Sequence, residues 1–176
     1  MEIHQRYFPV FSNKKKKSFG EKKLLPNFVA VRNGDNKSLD TVRRGNAKVL
    51  RARLSDARFF YQEDKKSKLD EFKKKAEKVV FFQSRGSQHQ RVQRITQLSS
   101  FISEKLNLPS SQQKHVQRIA ELSKFDLETR MVYEFPELQG IMGQNYAHLK
   151  NEKDLVCNGI RYHYYPRNAI DSLPVN

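Results

Sequence analysis

Cysteine is almost absent from this chain: Cys157 is the single one in 176 residues. One thiol excludes an internal disulfide framework and a four-cysteine zinc site, and it fits a reducing compartment. A cytoplasmic location is the expectation. No apolar run approaches the ~18–20 residues of a membrane span, and the opening MEIHQRYFPVF lacks an apolar stretch of signal-peptide length. No membrane association is expected. Glycine-rich phosphate loops of the Walker or dinucleotide type are missing too. His4, His89, His115, His148 and His163 are scattered without an HExxH or other close ligand pair, which points to surface or satisfied core histidines and to no bound metal. No serine or cysteine stands in a recognisable nucleophile context. Acidic residues are scarce, 19 against 34 Lys/Arg. The pairs Glu63-Asp64 and Asp70-Glu71 sit among lysines, where ion pairing explains them better than acid–base catalysis.

What is present in excess is positive charge, and it is local. Residues 1–88 hold 23 Lys/Arg and 10 Asp/Glu, whereas residues 89–176 hold 11 and 9. A basic half implies a negatively charged partner more strongly than uniform basicity does. The length suits one domain, or one domain with an appendage.

Two short alternating segments, IHQRYFPVF and LLPNFVAVRN, have strand composition, with Pro9 and Pro26 suited to edge positions. The lysine-rich SNKKKKSFGEKK between them predicts a hairpin with a long polar tip. That tip is either solvated or in contact with phosphate. After NGDNKS the period changes to about 3.6. A helix over 46–61, with Asn46 as N-cap, places Val49, Leu50, Leu54, Ala57, Phe60 and Tyr61 on one broad face. Arg44, Arg51 and Arg58 are seven apart and line another, with Lys48 beside them. If Asn46 caps the helix, Arg44 leaves that stripe. Arg53 projects toward the apolar side, so a structural ion pair with Asp56 is predicted.

KKSKLDEFKKKAEKVVFF (65–82) predicts a second helix with Leu69, Phe72, Ala76 and Val79/Val80 inward. Beyond the break at SRGSQ the pattern is helical throughout. Val92, Ile95, Leu98, Ile102 and Leu106 recur at intervals of three and four. NLP ends that helix, and Ser110 and Gln113 stand at capping-box spacing. LETRMVYEF, ELQGIMGQNYAHL and NEKDLVCNGIRYHYY follow. GIMG (140–143) has the spacing of an RNA-clamping GxxG loop, but with apolar central residues, so close helix packing is the favoured reading.

Five blocks then carry a resemblance: HQRYFPVF, LLPNFVAVRNGD, GNAKVLRARLSDARFFYQED, LSKFDLETRMVYEFPELQGIMGQNYA and YYPRNAIDSLP. In this order the chain resembles the beta subunit of bacterial glycyl-tRNA synthetase over nearly its whole length, more weakly in 12–23 and 83–115. The resemblance implies an internal piece of a longer subunit that continues into more helices and an anticodon-binding domain. It implies a mainly α fold: residues 1–36 form a β-hairpin belonging to a preceding domain, and 37–176 a basic helix and a degenerate HD-like helical domain truncated at its C-terminal end. In that family the alpha subunit carries the aminoacylation site, so ATP, glycine and Mg are expected there and no cofactor in this segment. The beta subunit binds glycine-accepting tRNA and holds the hetero-oligomer together.

Working HD domains use a histidine, a His-Asp dyad and a later aspartate to hold metal. Here Asp126 stands in KFD, the dyad histidine is replaced by Phe125, and Arg91 takes the earlier histidine's position. The resemblance therefore implies a dead centre. The expected function is non-catalytic: a tRNA-binding and assembly segment of the ligase, with Arg44, Lys48, Arg51, Arg58 and Lys14, Lys15, Lys16 and Lys17 facing phosphates. Two alternatives stay open. One is an HD-type metal-dependent phosphohydrolase. The other is a basic DNA-binding helix-turn-helix built from 91–106 and 111–124, with Lys114, His115, Arg118 and Lys124 on its second helix.

Overall fold

The computed structural model describes residues 7–15 and 22–174. The fold is mainly α with an N-terminal hairpin, and it divides into two compact units, Met1–Leu54 and Ser55–Asn176. The division falls inside a helix.

In the first unit, β1 (Tyr7–Lys15) pairs antiparallel with β2 (Lys22–Ala30). The register runs Tyr7↔Ala30, Phe8↔Val29, Pro9↔Phe28 and then slips before Phe11↔Leu24. Proline has no N–H to give the ladder, so irregularity beside Pro9 is the physical expectation. Tyr7 and Phe28 meet edge to face at 5.5 Å. Helix α1 (Leu39–Lys66) starts seven residues before Asn46. Asn46 is therefore no cap: its Oδ1 accepts from the Tyr7 hydroxyl at 3.1 Å, tying the hairpin to the helix. Gly45 costs the helix about 1 kcal/mol against alanine, too little to stop it. Val49 and Leu54, placed on the apolar wall by periodicity, are exposed in this unit.

The second unit holds the core. The C-terminal part of α1 contributes Ala57 and Tyr61, which pack against buried Phe72, Leu122, Phe125, Met131, Tyr146, Val156 and Ile160. Helix α2 (Leu69–Lys78) buries Leu69, Phe72 and Ala76, but it stops before the valines. Val80–Phe82 form β3, paired with β4 (Gly86–Ser87), and Val79 and Val80 are exposed. A run of β-branched and aromatic residues favours the extended chain over a further helical turn. Ser87 and Gln90 then make a capping box that opens α3 (Gln88–Lys105). Leu98, Ile102 and Leu106 leave an exposed apolar strip on α3 and its C-cap rather than a buried face.

Helix α4 (Ser110–Leu122) follows. The capping box predicted at Ser110 does not form: Pro109 is the N-cap residue, and Gln113 Nε2 donates to the Leu108 carbonyl at 2.8 Å. A 3-10 turn (Phe125–Glu128) leads into α5 (Arg130–Glu134), a second 3-10 turn (Pro136–Leu138), α6 (Ile141–Leu149) and α7 (Asp154–Tyr162).

Candidate functional site

The early start of α1 restores Arg44 to the helix. Arg44, Lys48 and Arg51 lie at i, i+4 and i+7, one face of a helix, within the first unit. All three are exposed, and none makes an ion pair with a described residue. Nearby Arg43 differs, because it pairs with Asp40 at 3.0 Å. Arg58 is likewise exposed and unpaired among the described residues, but it lies in the second unit's part of α1. Lys14 and Lys15 close β1, while Lys16 and Lys17 lie outside the described residues. Arg53 is half-buried and engaged, and Asp56 is exposed.

The second arrangement is a buried polar centre around Asp126, which is fully buried in the second unit. Its Oδ2 accepts from the Gly140 N–H at 2.7 Å, at the start of α6. A carboxylate there also meets the positive end of the helix dipole. Burial pushes the Asp126 acid above the ordinary range, against the pull of the Gly140 N–H and the Lys124 charge. Gly140 sits at φ 78°, and a side chain there would press on the Arg161 carbonyl at 2.9 Å. At Gly143 a Cβ would meet Ile160 at 2.8 Å and Asp126 Oδ2 at 2.9 Å. The two glycines of GIMG are thus sites of close approach.

Phe125 is buried with its ring 6.0 Å from that of Phe72, an apolar contact with no metal-ligating atom. Arg91 spreads its guanidinium over Phe81 at 4.1 Å. Lys124 is buried, with Nζ 3.7 Å from the Tyr164 ring centre and 2.7 Å from His163 Nε2. Burial, then the Arg91 charge, lowers the Lys124 pKa to about 8. Burial, then Lys124, lowers that of His163 to about 4. Neutral His163 suits both neighbours: Nδ1–H donates to the Ile160 carbonyl at 2.6 Å and Nε2 accepts from the ammonium. Lys124 is thus the cation that acts on Asp126. Among the described residues no group of three or more His, Cys, Asp or Glu is placed to hold a metal ion.

Asp64 corrects a sequence expectation. It is buried and serves no lysine: its carboxylate accepts from the N–H groups of Arg130 and Met131 and from the Tyr146 hydroxyl, each at 3.0 Å. It starts α5 from a distance of 66 residues, so no local pattern could announce it. Glu63 does pair with Lys66, and Asp70 with Lys73. On α4, Arg118 is held by Glu121 at 3.2 Å and by Glu152. With Lys124 buried as well, the proposed recognition helix has lost two of its four basic side chains to the fold.

An N-terminal hairpin, a long helix with an exposed cationic face in the first unit, and a helical second unit built around buried aspartates define a mainly α protein. The family model described as glycyl-tRNA synthetase beta subunit matches residues 1–176. The chain is 51% identical over 174 residues to the glycine–tRNA ligase beta subunit of Desulfitobacterium hafniense, 48% to that of Bacillus subtilis and 47% to that of Listeria monocytogenes. Each match covers 99% of this chain and about a quarter of the relative, 24–25% of its length. The chain belongs to the glycyl-tRNA synthetase beta-subunit family.

Proposed function

We propose that this chain is a non-catalytic segment of glycine–tRNA ligase that binds the tRNA backbone and supports assembly with the alpha subunit. The supporting observation is the Arg44–Lys48–Arg51 face, three exposed cations on a stiff helix without carboxylate partners among the described residues. Such an array neutralises phosphates and releases their counterions, and arginine's planar fork suits two-point phosphate contact. We assign Arg58, on the second unit's part of α1, and the lysines at 14–17 separately to phosphate contact. Glycine, ATP and Mg belong to the alpha subunit in this reading, and the assembly works in the cytoplasm.

The buried centre favours a scaffold over a phosphohydrolase. Phe125 offers no ligand, and Asp126 already holds Gly140. Stoichiometric bound metal together with phosphodiester turnover would reverse that judgement. Duplex DNA is the poorer partner because Arg118 and Lys124 are committed internally.

The deciding experiment titrates the chain with glycine-accepting tRNA at several salt concentrations, for wild type and for Arg51→Ala/Arg58→Ala. The expected result is a flatter dependence of log affinity on log salt in the variant, by about one unit of slope per lost phosphate contact. An unchanged slope with weakened alpha-subunit binding would assign the stripe to the protein partner instead. Stronger binding to duplex DNA of equal charge would favour the helix-turn-helix reading.

A further inference from the structure

The second unit contains a cleft of about 810 Å³ that no part of the preceding argument uses. Its walls come from β3, the start of α3 and the segment around α5. The volume lies within the range of small-molecule and nucleotide sites. Three features on those walls point to one ligand chemistry.

The first is aromatic surface. Tyr133 lines the cleft and is 85% exposed, so its ring is open to a ligand. On the opposite side in sequence, Phe81 is backed by the Arg91 guanidinium, which lies 4.1 Å from its centre. Tyrosine rings and arginine planes are the surfaces on which unpaired bases stack.

The second is a pair of hydrogen-bond acceptors. Gln88 lines the cleft and is buried, yet its Oε1 has no partner among the described residues. A buried unsatisfied carbonyl is costly and invites an external donor. Glu128, in the 3-10 turn before α5, adds a half-buried carboxyl to the lining. An exocyclic amino group has two N–H donors to serve both. Uracil has one N–H flanked by two carbonyl oxygens, which would face the acceptors unfavourably. The third is charge. Arg130 is exposed at the mouth, its backbone anchored by Asp64, and is placed for a phosphate.

We propose that this cleft binds an unpaired amino-bearing nucleobase, adenine, cytosine or guanine, with its 5′-phosphate on Arg130. The inference rests on the RNA-binding reading for its source, a single-stranded stretch of RNA, while the same chemistry would accept a free nucleotide.

The test uses the full chain and fluorescence anisotropy with labelled oligoadenylate, oligocytidylate and oligouridylate at fixed low salt. Oligoadenylate and oligocytidylate should bind more tightly than oligouridylate. Tyr133→Ala should weaken oligoadenylate binding roughly 5- to 150-fold, and Tyr133→Phe should restore it. Gln88→Met, which keeps volume and removes the acceptor, should erase the preference over oligouridylate. Equal binding of all three strands, or an unaffected Tyr133→Ala, overturns the proposal, and the exposed position of Tyr133 keeps folding out of that result. Competition by AMP as strong as by oligoadenylate supports the base site and assigns it to free nucleotides; competition by strands alone assigns it to RNA. The salt slope of Arg51→Ala/Arg58→Ala on tRNA tests the backbone reading separately. A lost slope effect with retained base preference sinks only that reading.

Discussion

The two units solve folding in different ways. The first, residues 1–54, carries 14 Lys/Arg against four Asp/Glu, and none of its described residues is fully buried. Its hairpin is tied to α1 through the hydrogen bond from Tyr7 to Asn46. The second unit carries 20 Lys/Arg against 15 Asp/Glu and holds the entire buried core. It also uses two buried aspartates, Asp64 and Asp126, as starters for helices far away in sequence. Charge that is exposed and unpaired is available for a partner; a buried carboxylate that holds backbone N–H groups is spent on architecture. The same residue types therefore mean different things in the two halves.

The comparison is broken most severely at Asp64. Asp64→Ala leaves two N–H groups and the Tyr146 hydroxyl without their acceptor, and a loss of about 3–5 kcal/mol is expected in denaturant unfolding. A loss under about 1 kcal/mol would show that α5 does not depend on this carboxylate. Gly143→Ala comes next: its methyl must displace Ile160 or the Asp126 carboxylate, at about 1–3 kcal/mol in the same assay.

The third test is one of pH. His163 has a folded pKa of about 4 against an ordinary 6.5, so the unfolded chain takes up the proton first. Its contribution to stability is complete above about 6.5 and is lost as pH falls toward about 4. Lys124, Arg91 and Arg167 all oppose charge on the ring. His163→Gln should flatten that limb of a stability-against-pH curve; an identical curve would show that the imidazole does not titrate there.

The smallest expected effect on stability lies in the first unit. Arg44→Ala/Lys48→Ala/Arg51→Ala should change unfolding free energy by less than ~0.5 kcal/mol per site, while the salt dependence of tRNA binding flattens. A large destabilisation would mean these cations hold the fold together, and the contrast between the units would fail.

Much of the architecture was legible in sequence because its signals are local. Alternation marked the hairpin, and spacing placed Leu69, Phe72 and Ala76 inside. The misreadings share a cause, since each involved a residue whose partner is distant or whose neighbourhood outvoted it. Asn46 resembled a cap but serves Tyr7, 39 residues away. Ser110 had the right spacing, yet Pro109 and Gln113 settled that helix start differently. Ser87, within the SRGSQ break, makes the capping box with Gln90 instead. Asp126 could be singled out through family resemblance, but its hold on Gly140 could not. Asp64, Lys124 and His163 acquire their roles only in three dimensions.

The attachment of Asp126 to Gly140 also bears on reversibility. Placing histidine at position 125 would set an imidazole against Phe72 and beside an acid that already begins a helix. Asp126 Oδ1 has no hydrogen-bond partner among the described residues, but a cation on it would sit beside the Lys124 charge and pull on the acid that begins α6. Conversion of this centre toward cation binding would therefore strain the start of α6.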